Sequence, residues 1–438
     1  MPKPTGCGYK QAPKQGGTMN YREQMENSNN LLGSCKRLKH ASGWKYSTQR
    51  VLCNRLRTVN SLKHKIHDGT YKQGQGTTFR MHEYGHKRIV KALSNVDLLV
   101  QHTLCDTILT PEISPLLIYD NGASIKGKGI SFTRLRLDKH LHDYYRRNGN
   151  DGYILLIDYR KFFDNIRHDK LLEMYSKALK EPWIIKFIEN ILKSYRIDIS
   201  FTKDPDYISK TFNLYDYQQV PKESLTGKRY MDKSLGIGSP ISQISGIFFP
   251  LVVDGYIKTV LGCKYYGAFM DDRYLIHESK QYLITVREVI EDLSTKLGLH
   301  LNMKKTQIVK LSHGFTFLKV KYFLTDTGSI VHRIPRDSIT RERRKLKKLA
   351  VKVVNGEMSI KEYRNQYLSW RGDKVPHHGK DKTIRYNSHR SIQSMDKAFR
   401  RDLEWITKNL KKSEENSRKS STSSASSQAR NQKSETTK

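Results

Sequence analysis

The chain has 438 residues and a mass of 51.0 kDa, more than one average domain, and 79 Lys+Arg against 43 Asp+Glu give it a formal charge of +36 at pH 7. So basic a chain repels itself unless a polyanion shares the charge, which excludes the balance of an ordinary small-molecule enzyme and makes nucleic acid or an anionic membrane the first partner class. The longest uncharged apolar runs, such as Gly246–Val253, fall far short of the roughly 20 residues that span a bilayer, so no membrane contact is expected. The start, Met1-Pro2-Lys3-Pro4-Thr5-Gly6, lacks the apolar core of a secretory signal, and a cytoplasmic location follows. Cys7, Cys35, Cys53, Cys105 and Cys263 form no C-x-x-C pair and accompany no His cluster, which argues against a disulfide framework and a zinc site.

In chain order, residues 1 to about 40 are rich in Gly, Lys, Gln and Asn with little apolar periodicity, and no packed core is expected of them. The apolar run Tyr153–Ile157 is followed by Ile166, Leu171, Met174 and Tyr175 at helical spacing, a strand and then a helix. Tyr265–Phe269 and Arg273–His277 are short aromatic-rich strands joined through Met270-Asp271-Asp272, a β-hairpin with acids at its tip. After Pro335, Ile339, Leu346, Leu349, Ala350, Val353 and Val354 mark one face of a helix that elsewhere carries Arg341, Arg343, Arg344, Lys345, Lys347, Lys348 and Lys352. From about residue 413 the chain is Ser/Lys low-complexity sequence.

The placement of the acids is informative. Asp158 ends the run 153–157, and Asp271-Asp272 sit at the hairpin tip. Acids on neighbouring strand ends repel each other unless a cation lies between them, and hard oxygen ligands suit Mg²⁺. Two such ions bridging substrate phosphates are the apparatus of in-line nucleotidyl transfer; either motif alone also reads as plain turn residues.

These residues resemble the reverse transcriptases, in particular the bacterial and phage branch related to group II intron and diversity-generating enzymes, over roughly residues 75 to 375. Asp158-Tyr159-Arg160-Lys161-Phe162-Phe163-Asp164-Asn165-Ile166-Arg167-His168 is similar to the first palm motif, and Phe269-Met270-Asp271-Asp272 to the Tyr-x-Asp-Asp box, with Phe for the usual Tyr. Ile237-Gly238-Ser239-Pro240-Ile241-Ser242-Gln243 resembles the form found in diversity-generating and some phage-defence enzymes, and departs from the intron form at Gly236-Ile237-Gly238. Lys304-Lys305-Thr306 resembles a palm segment, Gly314–Leu318 the primer-grip hairpin with Lys319 for the usual Gly, and Lys87-Arg88-Ile89 and Lys126–Gly129 the fingers motifs.

The resemblance implies an α+β right-hand polymerase with fingers, a palm of antiparallel sheet plus helices, and a helical thumb. The expected division is 1–75 N-terminal extension, partly flexible; 76–335 fingers and palm; 336–412 basic thumb; 413–438 disordered tail. Asp158 and Asp271 would hold two Mg²⁺ ions, with Mn²⁺ as a substitute; Asp272 would be an auxiliary ligand, and the carbonyl of Tyr159 a neutral one. Lys305 reads as general acid toward pyrophosphate or as a surface lysine. For dNTP binding, Lys87, Arg88 and Lys126 read as triphosphate cations or a solvated basic face. Phe163 reads as the ring excluding a ribose 2′-hydroxyl or as core beside Phe162. Gly238 would let backbone approach the base pair, and Gln243 and Ser242 on the following helix read as template contacts or as helix-packing or capping residues. Trp370 is expected to pack the thumb.

The implied partners are an RNA template, a DNA product or primer, dNTPs and a dedicated non-coding RNA, with oligomerisation left open. An RNA-directed DNA polymerase leads; an RNA-binding maturase or scaffold with a vestigial site and an RNA-dependent RNA polymerase are the alternatives. No endonuclease or ribonuclease H segment is recognised after the thumb, which suits a stand-alone enzyme of antiphage defence or of a diversity-generating element, with a lean to defence.

Overall fold

The computed structural model describes residues 19–83, 86–198, 230–372, 374 and 389–435. The chain divides into two compact units, Met1–Thr133 with Leu155–Ile308, and Arg134–Ile154 with Val309–Lys438.

The first unit opens with α1 (Tyr21–Glu26), α2 (Ser28–Ser42), α3 (Tyr46–Cys53) and α4 (Arg55–His67). Asn20 and Asn27 cap α1 and α2 through side-chain oxygens, and Glu23 answers back to the Asn20 N–H in a capping box. Leu31, Cys35 and Leu38 on α2 and Val59, Leu62 and Ile66 on α4 are buried. This corrects the expectation of no packed core before residue 40, since α1 and α2 bury Met25, Leu31, Cys35 and Leu38; residues 1–18 lie outside the described residues. Apolar residues are few there, but three- and four-residue spacing gathers them into a stripe on each helix, which is enough to dock it.

β1 (Thr77–Glu83) and β2 (His86–Ala92) pair antiparallel with Phe79 opposite Val90. α5 (Asn95–Leu104), against which α2 packs, passes through one wide turn into α6 (Thr110–Ile113). α7 (Ile130–Asn148) leads to β3 (Tyr153–Ile157), whose residues 154–157 are buried as the apolar run requires. α8 (Phe162–Asn165), α9 (His168–Ala178) and α10 (Pro182–Lys193) follow, then the two-residue strands β4 (Ile197–Asp198) and β5 (Tyr230–Met231).

α11 (Pro240–Phe248), with Ser239 as N-cap and Pro240 in its first turn, runs on into α12 (Leu251–Gly255). Counting uncharged runs misses a feature here, because the helical stretch Pro240–Val260 is 21 residues long and apolar enough to cross a membrane. It is 67% buried within the fold, with Ile241, Phe249, Val253 and Ile257 wholly inside, so its apolar surface already has a partner. β6 (Tyr266–Phe269) and β7 (Asp272–His277) form the expected hairpin, α13 (Lys280–Leu297) ends at Gly298 with φ 84°, and β8 (Gln307–Lys310) completes a four-stranded sheet in the order β6-β7-β3-β8.

In the second unit β9 (Phe315–Phe317), β10 (Val320–Leu324) and β11 (Ile330–Arg333) make an antiparallel sheet with β10 central. α14 (Arg336–Val354), α15 (Ile360–Gly372) and α16 (His389–Glu435) follow. Leu346, Ala350 and Val353 pack with Tyr363, Tyr367, Met395 and Ile406, and Ile339, Leu349 and Val354 close around them, the face read from the sequence. Trp370 stacks on Tyr367 with ring centroids 6.1 Å apart, which settles it as packing. α16 continues through 413–435, where a disordered tail is expected; no Gly or Pro occurs in 389–435 to stop it.

Candidate active site

The hairpin register pairs Phe269 with Asp272. Met270-Asp271 is therefore the turn itself, and Asp272 is the first residue of β7. A two-residue turn follows the twist of its strands only with positive φ at its first central position or at both, and Met270 stands at φ 54°. A residue bearing Cβ costs about 1–2 kcal/mol in that region, and such strain persists where the surroundings over-determine it.

Arg273 is what overdetermines it. Its side chain is 1% exposed and its Nε lies 2.9 Å from Oδ1 of Asp254, also 1% exposed. The same carboxylate accepts from the Tyr266 hydroxyl at 2.5 Å. Arg273 Nη1 donates to the carbonyls of Met270 and Asp271 at 3.0 and 3.4 Å, and the guanidinium lies 4.9 Å from the Tyr159 ring centroid. A buried ion pair carried by α12 and β7 thus braces the acidic turn from behind.

Asp158 leaves β3, next to β7 in the sheet. Asn302 fixes it twice, its backbone N–H donating to the Asp158 carbonyl at 2.7 Å and its Nδ2 to Oδ2 at 2.9 Å. Lys305 Nζ lies 3.3 Å from Oδ1. The Arg160 N–H donates to the His300 carbonyl at 2.9 Å, so Tyr159 and Leu301 form a non-hydrogen-bonded pair, and the Tyr159 carbonyl faces away from Leu301. Burial, and then the charge of Asp158, push the Asp271 carboxyl above its usual range. Burial followed by the charges of Asp271 and Asp158 push Asp272 up to about 7.

Mutual repulsion of this kind is relieved by a cation, and buried hard oxygens are what a divalent ion such as Mg²⁺ takes. The donor set therefore fits a divalent metal by its chemistry. Among the described residues no three His, Cys, Asp or Glu side chains stand ready to hold an ion, and Asp158 is engaged by Lys305 and Asn302.

The remaining predicted residues divide. Phe162 is buried, whereas Phe163 is half-buried, edge-on to Phe162 at 5.3 Å, and a Cβ placed on Gly246 would lie 3.0 Å from the Phe163 ring. Gly238 has φ 91° with open space where a Cβ would be, so the backbone conformation accounts for glycine. Gln243 is exposed on a helix otherwise largely buried, while Ser242 is buried, bonded to the N-cap Ser239 through N–H and hydroxyl. Lys126 is exposed, five residues beyond Asn121, which bridges Ala268 on β6. Lys87 and Arg88 occupy β2 opposite His82 and Met81; their side chains lie outside the described residues.

Sequence reading missed Asp254, Arg273 and the side chain of Asn302. Asp254 and Lys258 are the only charged residues in Pro240–Val260, and an acid inside so apolar a stretch is the signal that could have found the brace, since buried charges are paired.

An antiparallel hairpin and a neighbouring strand that bring three acids together on one sheet, with basic helices elsewhere in the chain, define a polymerase palm. The profile of the reverse transcriptase (RNA-dependent DNA polymerase) family matches residues 79–322, more than half of the chain, and the chain belongs to that family; its domain is a nucleotidyltransferase. No curated protein matches the chain. Similar solved structures include telomerase from Candida albicans in complex with a TWJ fragment of telomeric RNA, at 10% identity and TM-score 0.42 over 76% of this chain and 56% of that one. Apo telomerase from Candida tropicalis matches at 13% identity and TM-score 0.40, over 77% of this chain and 62% of that one. This chain thus spans less than two thirds of the length of either.

Proposed function

We propose that the chain copies an RNA template into DNA by nucleotidyl transfer at Asp158, Asp271 and Asp272. The observation that carries this is the convergence of three mutually repelling carboxylates on one sheet of a palm whose family is established. Asp158, Asp271 and the Tyr159 carbonyl would hold Mg²⁺, with Asp272 auxiliary. Bound divalent ions lower the pKa of a primer 3′-hydroxyl and neutralise the triphosphate. Lys305 exchanges Asp158 for the leaving pyrophosphate and serves as its proton donor. Phe163 walls the sugar, Gly238 bounds the base pair, Gln243 meets the template strand, and Lys87, Arg88 and Lys126 take the triphosphate charge.

The template is a dedicated non-coding RNA, and the setting is antiphage defence or a diversity-generating element, in the cytoplasm. The Ile237–Gln243 motif form supports this branch. Primer extension on an RNA template with dNTPs or NTPs tests the activity. Asp271→Asn is expected to abolish extension and to leave RNA binding intact; unchanged synthesis removes the metal site, and preference for NTPs makes the enzyme an RNA polymerase. Sequencing the RNA and cDNA that co-purify tests the setting. Adenine-directed mismatches mark diversification, and repetitive or untemplated cDNA marks defence.

A further inference from the structure

The helices α1–α4 turn a basic face outward. Between Glu26 and Asp68 the sequence holds nine Lys and Arg and not one Asp or Glu, and all nine basic side chains are exposed. Arg37 is the only one with an acidic partner among the described residues, Asp106 at 2.7 Å. In the midst of this charge, at the α2–α3 turn, Trp44 is 79% exposed and Tyr46 78%, and Leu56 at the start of α4 is 68% exposed. Large rings left in water forgo the burial that makes aromatics valuable in a core, and their exposure together marks a contact surface. Lys45 Nζ lies 5.3 Å from the Trp44 ring centroid. Beside it runs an open groove of about 580 Å³ lined by Lys39, His40, Trp44, Leu52, Cys53 and Arg55.

We infer that this turn and groove form a binding site for single-stranded RNA, which stacks bases on Trp44 and Tyr46 and sets its phosphates against Lys39, Lys45 and Arg55. Exposed rings interleaved with unpaired cations are the equipment of single-strand recognition, because every base has a π-face and every linkage a charge. A duplex hides its bases and would use only the cations. The core stripes of α2 and α4 are buried inward, so the outward face lacks the broad apolar stripe of a helix that lies in a membrane. The site is held in place, since Ser34 and Arg37 fasten α2 to residues 103 and 106. Naming RNA as the strand rests on the RNA-templated reading above; the surface itself asks only for a single strand.

The test measures binding of a labelled 20-nucleotide single-stranded RNA by fluorescence anisotropy, using the full chain. Stacking on an aromatic ring changes affinity about 5- to 150-fold per base, so Trp44→Ala with Tyr46→Ala is expected to weaken binding at least tenfold, and Trp44→Phe to restore most of that at position 44. Lys39→Glu with Arg55→Glu is expected to flatten the slope of log K against log salt by about 1.4, two phosphates at about 0.7 each. Extension of a short preformed primer–template duplex is expected to stay at the wild-type rate. The inference is overturned if the aromatic variant binds the RNA as wild type does, if it loses heparin or duplex RNA equally, or if anionic phosphatidylserine vesicles rather than RNA show its dependence. A wild-type chain that binds the RNA through these rings but extends nothing would remove the polymerase reading and leave this site standing.

Discussion

Replacing Arg273 by Met separates two things the brace does. Arg273 and Asp254 are each 1% exposed and 2.9 Å apart, so Arg273→Met leaves a carboxylate buried with the Tyr266 hydroxyl as its remaining described partner. Breaking a buried pair from one side costs about 3–5 kcal/mol. The loss of donors to the Met270 and Asp271 carbonyls adds about 1 kcal/mol each at most. Adding Asp254→Leu removes the orphaned charge, and two apolar side chains of similar volume in place of a buried pair are near neutral. The double variant is therefore expected to regain at least 2 kcal/mol over the single one in urea unfolding. It is not expected to regain polymerisation, because the strained turn at Met270 has lost what holds its carbonyls, and primer extension should stay at least tenfold down. A single variant that costs under 1 kcal/mol would refute the buried-pair energetics; a double variant with wild-type kcat would refute the positioning role.

Phe163→Val is expected to raise ribonucleotide use relative to dNTPs at least tenfold, read as the ratio of kcat/KM for CTP and dCTP; an unchanged ratio makes Phe163 a core residue only. Asp272 is pushed up to about 7 by burial and by the charges of Asp271 and Asp158, so its folded form holds a proton that the unfolded chain releases, and metal-free stability falls as pH rises from about 4 to 7. Asp272→Asn is expected to flatten that decline and to gain roughly 2 kcal/mol in chelator at pH 8, whereas added Mg²⁺ should narrow the gap; equal wild-type and variant melts at pH 8 would show no charge strain. Leu318 and Lys319 form the β9–β10 turn at φ 44° and 65°, and Lys319→Gly, the residue usual in the resembling hairpin, is expected to add about 1 kcal/mol of thermal stability.

The palm was legible because its signals are local. An apolar run closed by an acid and two aromatic strands joined through Met270-Asp271-Asp272 define their elements within a few residues each, and the structure has both, with Asp272 moved from the tip into β7. The brace was not legible in the same way, for Arg273 and Asp254 are 19 residues apart in different elements, and although Asp254 stands out in an apolar stretch nothing local says which base it meets. Their pairing exists only once α12 docks behind β7. The N-terminal helices failed for another reason, since a composition average over residues 1–40 hides a capping box at Asn20–Glu23 and a stripe at Leu31, Cys35 and Leu38 that a window of one helix would have found.

The net charge takes on a different meaning once the acids are located. In the helices α14–α16 Asp402 is bonded by Arg343 and Tyr363 and Asp396 by Arg371 and Tyr367, so these acids serve the bundle's own packing. Lys348, on the opposite side of α14 from Leu346 and Ala350, and Lys347 on its flank are exposed with no described acid beside them. Of the palm acids, Asp158 meets Lys305, whereas Asp271 and Asp272 are left to their burial and to mutual repulsion. Other carboxylates pair at the surface, as Glu173 does with Lys170 and Lys177, yet 79 Lys+Arg against 43 Asp+Glu leave cations in excess. Relief of the repulsion at Asp271 and Asp272 by a cation would then serve the stability of the folded palm as well as the activity proposed for it.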